Sequence, residues 1–230
     1  MNLGLVPYAE AWELQRSLAG AVSQGAIPDT ILLLEHPPTV TTGRRTEEGE
    51  LHIPEGAEVE VVETDRGGKS TFHGPGQLVC YPIFDLKRHG QDVKRYCREL
   101  EEALIVTLAK LGLEGERIED LTGVWLTRPP RKIASIGIHI AKWVTTHGYA
   151  LNVDLDPTPF TQWITACGLE DAAFTTVATE LGRPVTVDEV RGPALEALAE
   201  VFGLELEELP AEGAHGLWPQ PLHAQLAARS

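Results

Sequence analysis

The stretch Arg66 to Ile83, "RGGKSTFHGPGQLVCYPI", follows the β-like run "EVEVVE" and holds four glycines, two prolines and a histidine in eighteen residues. Gly68, Lys69 and Ser70 spell the end of a nucleotide-binding GxxxxGK[ST] loop, a pattern that requires its first glycine at position 63. Glu63 stands there instead, and its carboxylate would repel a phosphate where close backbone approach is needed. The helix such a loop leads into is also broken at once by His73-Gly74-Pro75-Gly76. A wide turn between two strands explains Gly74-Pro75-Gly76 through positive φ but leaves the interleaved Arg, Lys, Thr and His without a purpose. An extended ligand against bare backbone accounts for both, because glycines permit close approach while the polar side chains orient what is bound.

Around this loop the chain alternates strand and helix signals. Pro7 to Val22 reads as a helix with apolar Trp12, Leu14, Leu18 and Val22, and "TILLLEHPP" and "TVTTG" read as short strands. Gln91 to Leu111 repeats Val93, Tyr96, Cys97, Leu100, Leu104, Leu108 and Leu111 every three or four residues, a helix stripe that places Cys97 in the core. Strands follow at 123–127, 132–140 and 147–155. The second sets Ala134, Ile136, Ile138 and Ile140 against Ser135, Gly137 and His139, with Lys132 at the edge of the apolar face. Asp156 and Pro157 open a helix over "PTPFTQWITA" that Gly168 closes, and a last helix runs from about Asp188 to Phe202. The expected fold is α+β (α/β two-layer), a mixed sheet with flanking helices in one domain over 1–230, with an acidic appendage from about 181.

Composition narrows the function classes. The net charge of −15 opposes general nucleic-acid binding, which needs basic surface to displace counterions. Charge is uneven, since residues 151–230 hold 3 basic against 13 acidic side chains. By contrast, Asp85 to Arg98 carries Lys87, Arg88, Lys94, Arg95 and Arg98 against only Asp85 and Asp92, a basic patch able to receive an acidic protein. No apolar run is long enough for a membrane helix and the start lacks signal-peptide character, so a cytoplasmic protein is expected. Three cysteines, at 80, 97 and 167 with no CxxC spacing, argue against a disulfide framework and a zinc site.

"RGGKSTFHGPGQLVCYPI" closely resembles the signature of the octanoyl (lipoyl) transferases of lipoate biosynthesis, the lipoate-protein ligase B family, and "KIASIGIHI", "THGYALNVD" and "ITACGLED" match its later motifs in the same order. The resemblance spans about residues 3 to 180, with Phe72 where the family often has Tyr and Lys69 where an acidic or amide residue is common. It implies the fold of the biotin and lipoate ligase catalytic unit and transfer of an octanoyl group from octanoyl-acyl carrier protein to a lysine. The acceptors it implies are lipoyl domains of 2-oxoacid dehydrogenase complexes and the glycine cleavage H protein. A monomer with no cofactor, metal, nucleic-acid or membrane partner is expected. By the same resemblance Cys167 is the nucleophile and Lys132 its activating partner. The substrate pocket is then lined by Arg66, Gly67, Gly68, Lys69, Ser70, Thr71, Phe72 and His73, by Ser135, Ile136 and Gly137, and by Gly148, Tyr149 and Ala150.

The residues themselves leave more open. Cys80, in a strand, and Cys97, on a helix stripe, read as core, whereas Cys167 precedes a glycine at a helix-to-loop boundary where a thiol can be reached. A helix C-terminus disfavours a thiolate, so an activated Cys167 would need a nearby cation or base. Desolvation at the edge of an apolar strand face suits Lys132 to general-base duty. His73 is the rival base, although a histidine among glycines also serves as a loop support, and His139 and His147 are weaker candidates. Arg66 either fixes the loop, meets a carbonyl or phosphate, or forms a surface ion pair. An ATP-dependent lipoate or biotin ligase of the same fold is the alternative enzyme, and a lipoyl- or carrier-binding module without chemistry the alternative outside enzymes.

Overall fold

The computed structural model describes residues 1–165 and 173–208. Its frame is a seven-stranded sheet made of β1 (Asn2–Leu5), β2 (Thr30–Glu35), β6 (Gln77–Ile83), β10 (Val144–Asn152), β9 (Pro130–Ala141), β8 (Leu121–Thr127) and β7 (Glu116–Ile118), in that spatial order. Only β1 and β2 run parallel; every other pairing in this sheet is antiparallel. A smaller sheet joins β4 (Glu60–Glu63), β3 (Thr39–Thr42) and β5 (Thr71–His73), with β3 in the middle.

The middle strands are apolar on both sides because both faces are covered. Leu32 and Leu34 of β2 meet Leu14 and Leu18 of helix α1 (Tyr8–Ser23), while Ile31 and Leu33 join Leu100 and Leu104 of α2 (Val93–Lys110) on the opposite face. Helix α5 (Val187–Phe202) packs beside α2 through Val190, Ala194 and Leu198. The mixed sheet, flanking helices and α+β class are as expected, and α1 adds a third layer to the two anticipated. Residues 187–202 are therefore part of the main core rather than an appendage, and the chain from 209 lies outside the described residues.

Helix ends follow their capping chemistry. Asp92 accepts the Arg95 N–H at 3.0 Å to start α2, and Thr186 with Glu189 forms a capping box on α5, which Gly203 closes at φ 64°. Two expectations change. Cys97 is half-buried on α2 and Val93 is exposed, because the stripe is anchored by Tyr96, Leu100, Ala103, Leu104 and Leu108. The helix opened by Asp156 is only α3 (Thr158–Gln162), since Ile164 leaves it to bridge Leu51 and the Thr165 N–H donates to the Glu50 carbonyl. A further short helix, α4 (Val177–Leu181), follows. Cys167 and Gly168 lie outside the described residues, and the helix end invoked for Cys167 falls five residues earlier, at Gln162.

Candidate active site

The glycine-rich loop, residues 64–70 between β4 and β5, is wrapped around its own arginine. Arg66 is 6% exposed, and its Nη2 donates to the Thr41 carbonyl and hydroxyl at 2.7 and 2.8 Å. Its Nη1 donates to the carbonyls of Lys69 and Gly67 at 2.7 and 3.1 Å, so the loop curls back over the guanidinium. The Gly67 N–H ties the loop to β9 through the Ile138 carbonyl at 2.8 Å. A Cβ at Gly43 would lie 2.4 Å from the Gly68 carbonyl oxygen, so only glycine lets the turn after β3 pack here. Arg66 is thus the loop's internal staple and not a surface ion pair.

Beneath the loop lies a cavity of about 370 Å³, within the usual range for small-molecule sites. Its walls include Arg66, Gly67, Gly68, Lys69, Ser70, Thr71 and His73, then Ser135, Ile136 and Gly137, then Gly148, Tyr149 and Ala150, with Lys132 among them. Phe72 instead turns toward Phe160 and Trp163 in a separate apolar cluster. Gly137 and Gly148 face each other across β9 and β10, and a Cβ at Gly148 would sit 2.2 Å from the Cys80 carbonyl oxygen.

Lys132 is 4% exposed and donates from Nζ to the Thr122 carbonyl at 2.9 Å, with the Trp125 ring centroid 5.2 Å away. Gly123, at φ +109°, leaves room for it: a Cβ there would come within 2.9 Å of Lys132 Cε. The chain emerging after residue 172 returns to this lysine, because the Lys132 N–H donates to the Ala173 carbonyl at 2.8 Å and the Thr175 N–H to the Lys132 carbonyl at 3.0 Å. From there a polar path leads back to the loop. Asn152 Nδ2 donates to the Thr175 carbonyl at 3.2 Å, Gln77 Nε2 donates to Asn152 Oδ1 at 3.0 Å, and His73 Nδ1 meets Gln77 Oε1 at 2.8 Å.

Histidines form a cluster that spacing did not reveal. His147 is 1% exposed, with Nε2 2.8 Å from Asp65 Oδ1 and Nδ1 3.1 Å from the Tyr8 hydroxyl. A carboxylate only accepts, so Nε2 carries the hydrogen and Tyr8 donates to Nδ1. His147 reaches this position at φ 58° inside a strand, a strained conformation held by its N–H bond to Gln15 Oε1 at 2.6 Å. His36 bonds the Val6 carbonyl at 2.6 Å and the Tyr81 hydroxyl at 2.7 Å. Burial pushes the ring pKa of His36 down to about 4, and burial likewise lowers those of His73 and His147. His73 is consequently a neutral support beneath the loop. The hydrogen bond from His147, before any other influence, keeps Asp65 below the usual carboxylate range.

The remaining candidates separate clearly. Cys80 is fully buried and its thiol is pushed up to about 12, whereas Cys97 reaches the cavity wall with its pKa raised by burial and then by Glu101. Lys69 pairs closely with Glu50 and lies 3.7 Å from Glu47, contacts that raise its pKa. In the basic patch, Arg88 pairs with Asp29, Arg95 with Glu99 and Arg98 with Glu101, which leaves Lys87 and Lys94 exposed. Among the described residues no three His, Cys, Asp or Glu side chains could hold a metal, and no helix is long and apolar enough to cross a membrane.

Residues 7–199 match the lipoyl protein ligase A/B catalytic domain. An octanoyltransferase of Mycobacterium tuberculosis is 54% identical over 199 residues, covering 86% of this chain and 84% of that protein. One from Chloroflexus aurantiacus is 48% identical over 209 residues, covering 88% of this chain and 93% of that protein. Among solved structures, the bipartite lipoate protein ligase of Thermoplasma acidophilum superposes with a TM-score of 0.71 at 16% identity, over 100% of this chain and 92% of that one. That likeness is one of fold.

Proposed function

Because this chain belongs to the lipoyl protein ligase A/B catalytic-domain family and is an octanoyltransferase of protein lipoylation, we propose that it works through a thioester on Cys167 with Lys132 as the proton carrier. Octanoyl-acyl carrier protein is the donor. The acceptors are lysines of lipoyl domains of 2-oxoacid dehydrogenase complexes and of the glycine cleavage H protein. The protein acts in the cytoplasm as a monomer.

Lys132 takes the Cys167 thiol proton, and the thiolate attacks the octanoyl carbonyl. The tetrahedral oxyanion collapses, breaking the carbon–sulfur bond to the carrier, whose departing thiolate receives the proton from Lys132. The acceptor amine then attacks the enzyme thioester. Lys132 takes the amine proton and returns it to the Cys167 sulfur as the amide forms. Exchange of a thioester for an amide runs downhill, so no ATP is needed. Arg66 holds the loop over the acyl chain and touches no reacting atom.

The observation that carries this reading is the backbone pairing of Lys132 with Ala173 and Thr175, which brings the chain downstream of Cys167 back to the lysine. Upstream, Thr165 is bonded to Glu50, the partner of Lys69 on the cavity wall. The ATP-dependent ligase alternative is not favoured, since the relatives at 48% and 54% identity are named octanoyltransferases. Intact-mass analysis after mixing with octanoyl-acyl carrier protein, without ATP, tests the proposal. One octanoyl group should be gained, released by a thiol, and absent in Cys167→Ser. Lys132→Ala should slow both halves of the reaction. An adduct that persists in Cys167→Ser would overturn the assignment.

A further inference from the structure

We propose that Arg45 is a docking site for the phosphodiester of the phosphopantetheine arm that carries the octanoyl group. This rests on the reading of octanoyl-acyl carrier protein as the donor. Four cations line the cavity: Arg45, Arg66, Lys69 and Lys132. Arg66 is wrapped in loop carbonyls, Lys69 is paired with Glu50 and Glu47, and Lys132 donates to Thr122. Arg45 alone makes no side-chain hydrogen bond or ion pair among the described residues, in a chain of net charge −15.

Acidic side chains are close in sequence, but Lys69 takes Glu50 and lies 3.7 Å from Glu47, and none of these carboxylates pairs with Arg45 among the described residues. The base of Arg45 is fixed. Its N–H donates to the Gly68 carbonyl at 3.0 Å, the Arg44 N–H to the Arg66 carbonyl at 3.0 Å, and the Thr46 N–H closes a turn on the Gly43 carbonyl at 3.0 Å. The Gly43 N–H in turn donates to the Thr46 hydroxyl at 3.0 Å. The exposed guanidinium is therefore carried at the cavity mouth by a turn laced to the binding loop.

An octanoyl chain and its thioester carry no charge, so the anion that answers this cation belongs to the arm beyond the sulfur. A guanidinium presents a planar fork that matches two phosphate oxygens. At an exposed site this contact tunes affinity and not chemistry, so its loss should raise KM about three- to tenfold and leave kcat in place.

Octanoyl-phosphopantetheine and octanoyl-pantetheine, which differ only in the phosphate, are the probes, with a lipoyl domain as acceptor. Wild-type enzyme should favour the phosphorylated thioester about three- to tenfold in kcat/KM. Arg45→Ala should lose that preference while using octanoyl-pantetheine as well as wild type does, and Arg45→Lys should recover part of it. No preference in wild type, or a preference that survives in Arg45→Ala, overturns the proposal. So does a raised KM for the lipoyl domain alone, which would assign Arg45 to acceptor carboxylates. Failure of wild type to use either thioester would instead break the reading of the donor.

Discussion

The two walls of the cavity are built on different principles. The loop wall, Arg66 to Thr71 with His73, takes its shape from one buried guanidinium reaching Thr41, Gly67 and Lys69. The sheet wall, Ser135 to Gly137 and Gly148 to Ala150, is carried by two ladder-bonded strands, of which β10 packs into cores on both faces, and the missing side chains at Gly137 and Gly148 let Arg66 with the Gly67 carbonyl, and the Cys80 carbonyl, close in against it. A wall that depends on one side chain can be removed by one substitution. A wall that depends on many is changed only locally.

Arg66→Ala should have the largest effect. It strips donors from the buried Thr41 carbonyl and the part-buried Lys69 carbonyl, so urea unfolding should show a loss of about 3 kcal/mol or more together with most of the activity. Arg66→Lys should not rescue it, because a single ammonium cannot span both carbonyls. Next comes pH. His36 is neutral when folded, with a pKa near 4, and about 6.5 when unfolded. The unfolded state therefore binds more protons below pH 6.5, and stability should fall between about pH 6.5 and 4, on the order of 3 kcal/mol from this group. Unfolding midpoints at pH 7.5 and 5 would show it, and a midpoint independent of pH would remove the buried histidines from the argument.

On the sheet side, Gly148→Ala drives a Cβ against the Cys80 carbonyl and should cost about 1–3 kcal/mol, less than the loss of Arg66. Equal or greater damage in differential scanning calorimetry would reverse the ranking of the walls. The smallest effect is expected outside both. With three arginines of the basic patch already paired, Lys87→Glu with Lys94→Glu should raise the KM for octanoyl-acyl carrier protein by less than about twofold. A larger rise would restore the patch as a carrier dock.

The loop wall was also the more legible. Glycines and interleaved polar residues marked Arg66 to His73 because the signal is local, and the period-two pattern of 132–140 gave the opposing strand. The resemblance groups Phe72 with the cavity, whereas the alternation of its strand turns it toward Phe160. The early end of α3 was hidden by the apolar run that continues through Ile164, which is spent on Leu51 instead. The start of β10 was missed because its hairpin turns on Lys142 and Trp143, both at positive φ, where Asn-Gly is the usual signal. The His147 contacts to Asp65 and Tyr8 span 82 and 139 residues, and no local pattern encodes such separations.

The path from His73 to Thr175 has a direction. Gln77 Nε2 is used toward Asn152 and the Phe72 carbonyl, so its Oε1 is the atom left to face His73. Only a ring carrying hydrogen on Nδ1 can answer an oxygen there. The amide of Gln77 therefore selects one of two imidazole tautomers and leaves a bare lone pair on the second nitrogen of His73. At that nitrogen His73 can accept a hydrogen bond and has no proton to give.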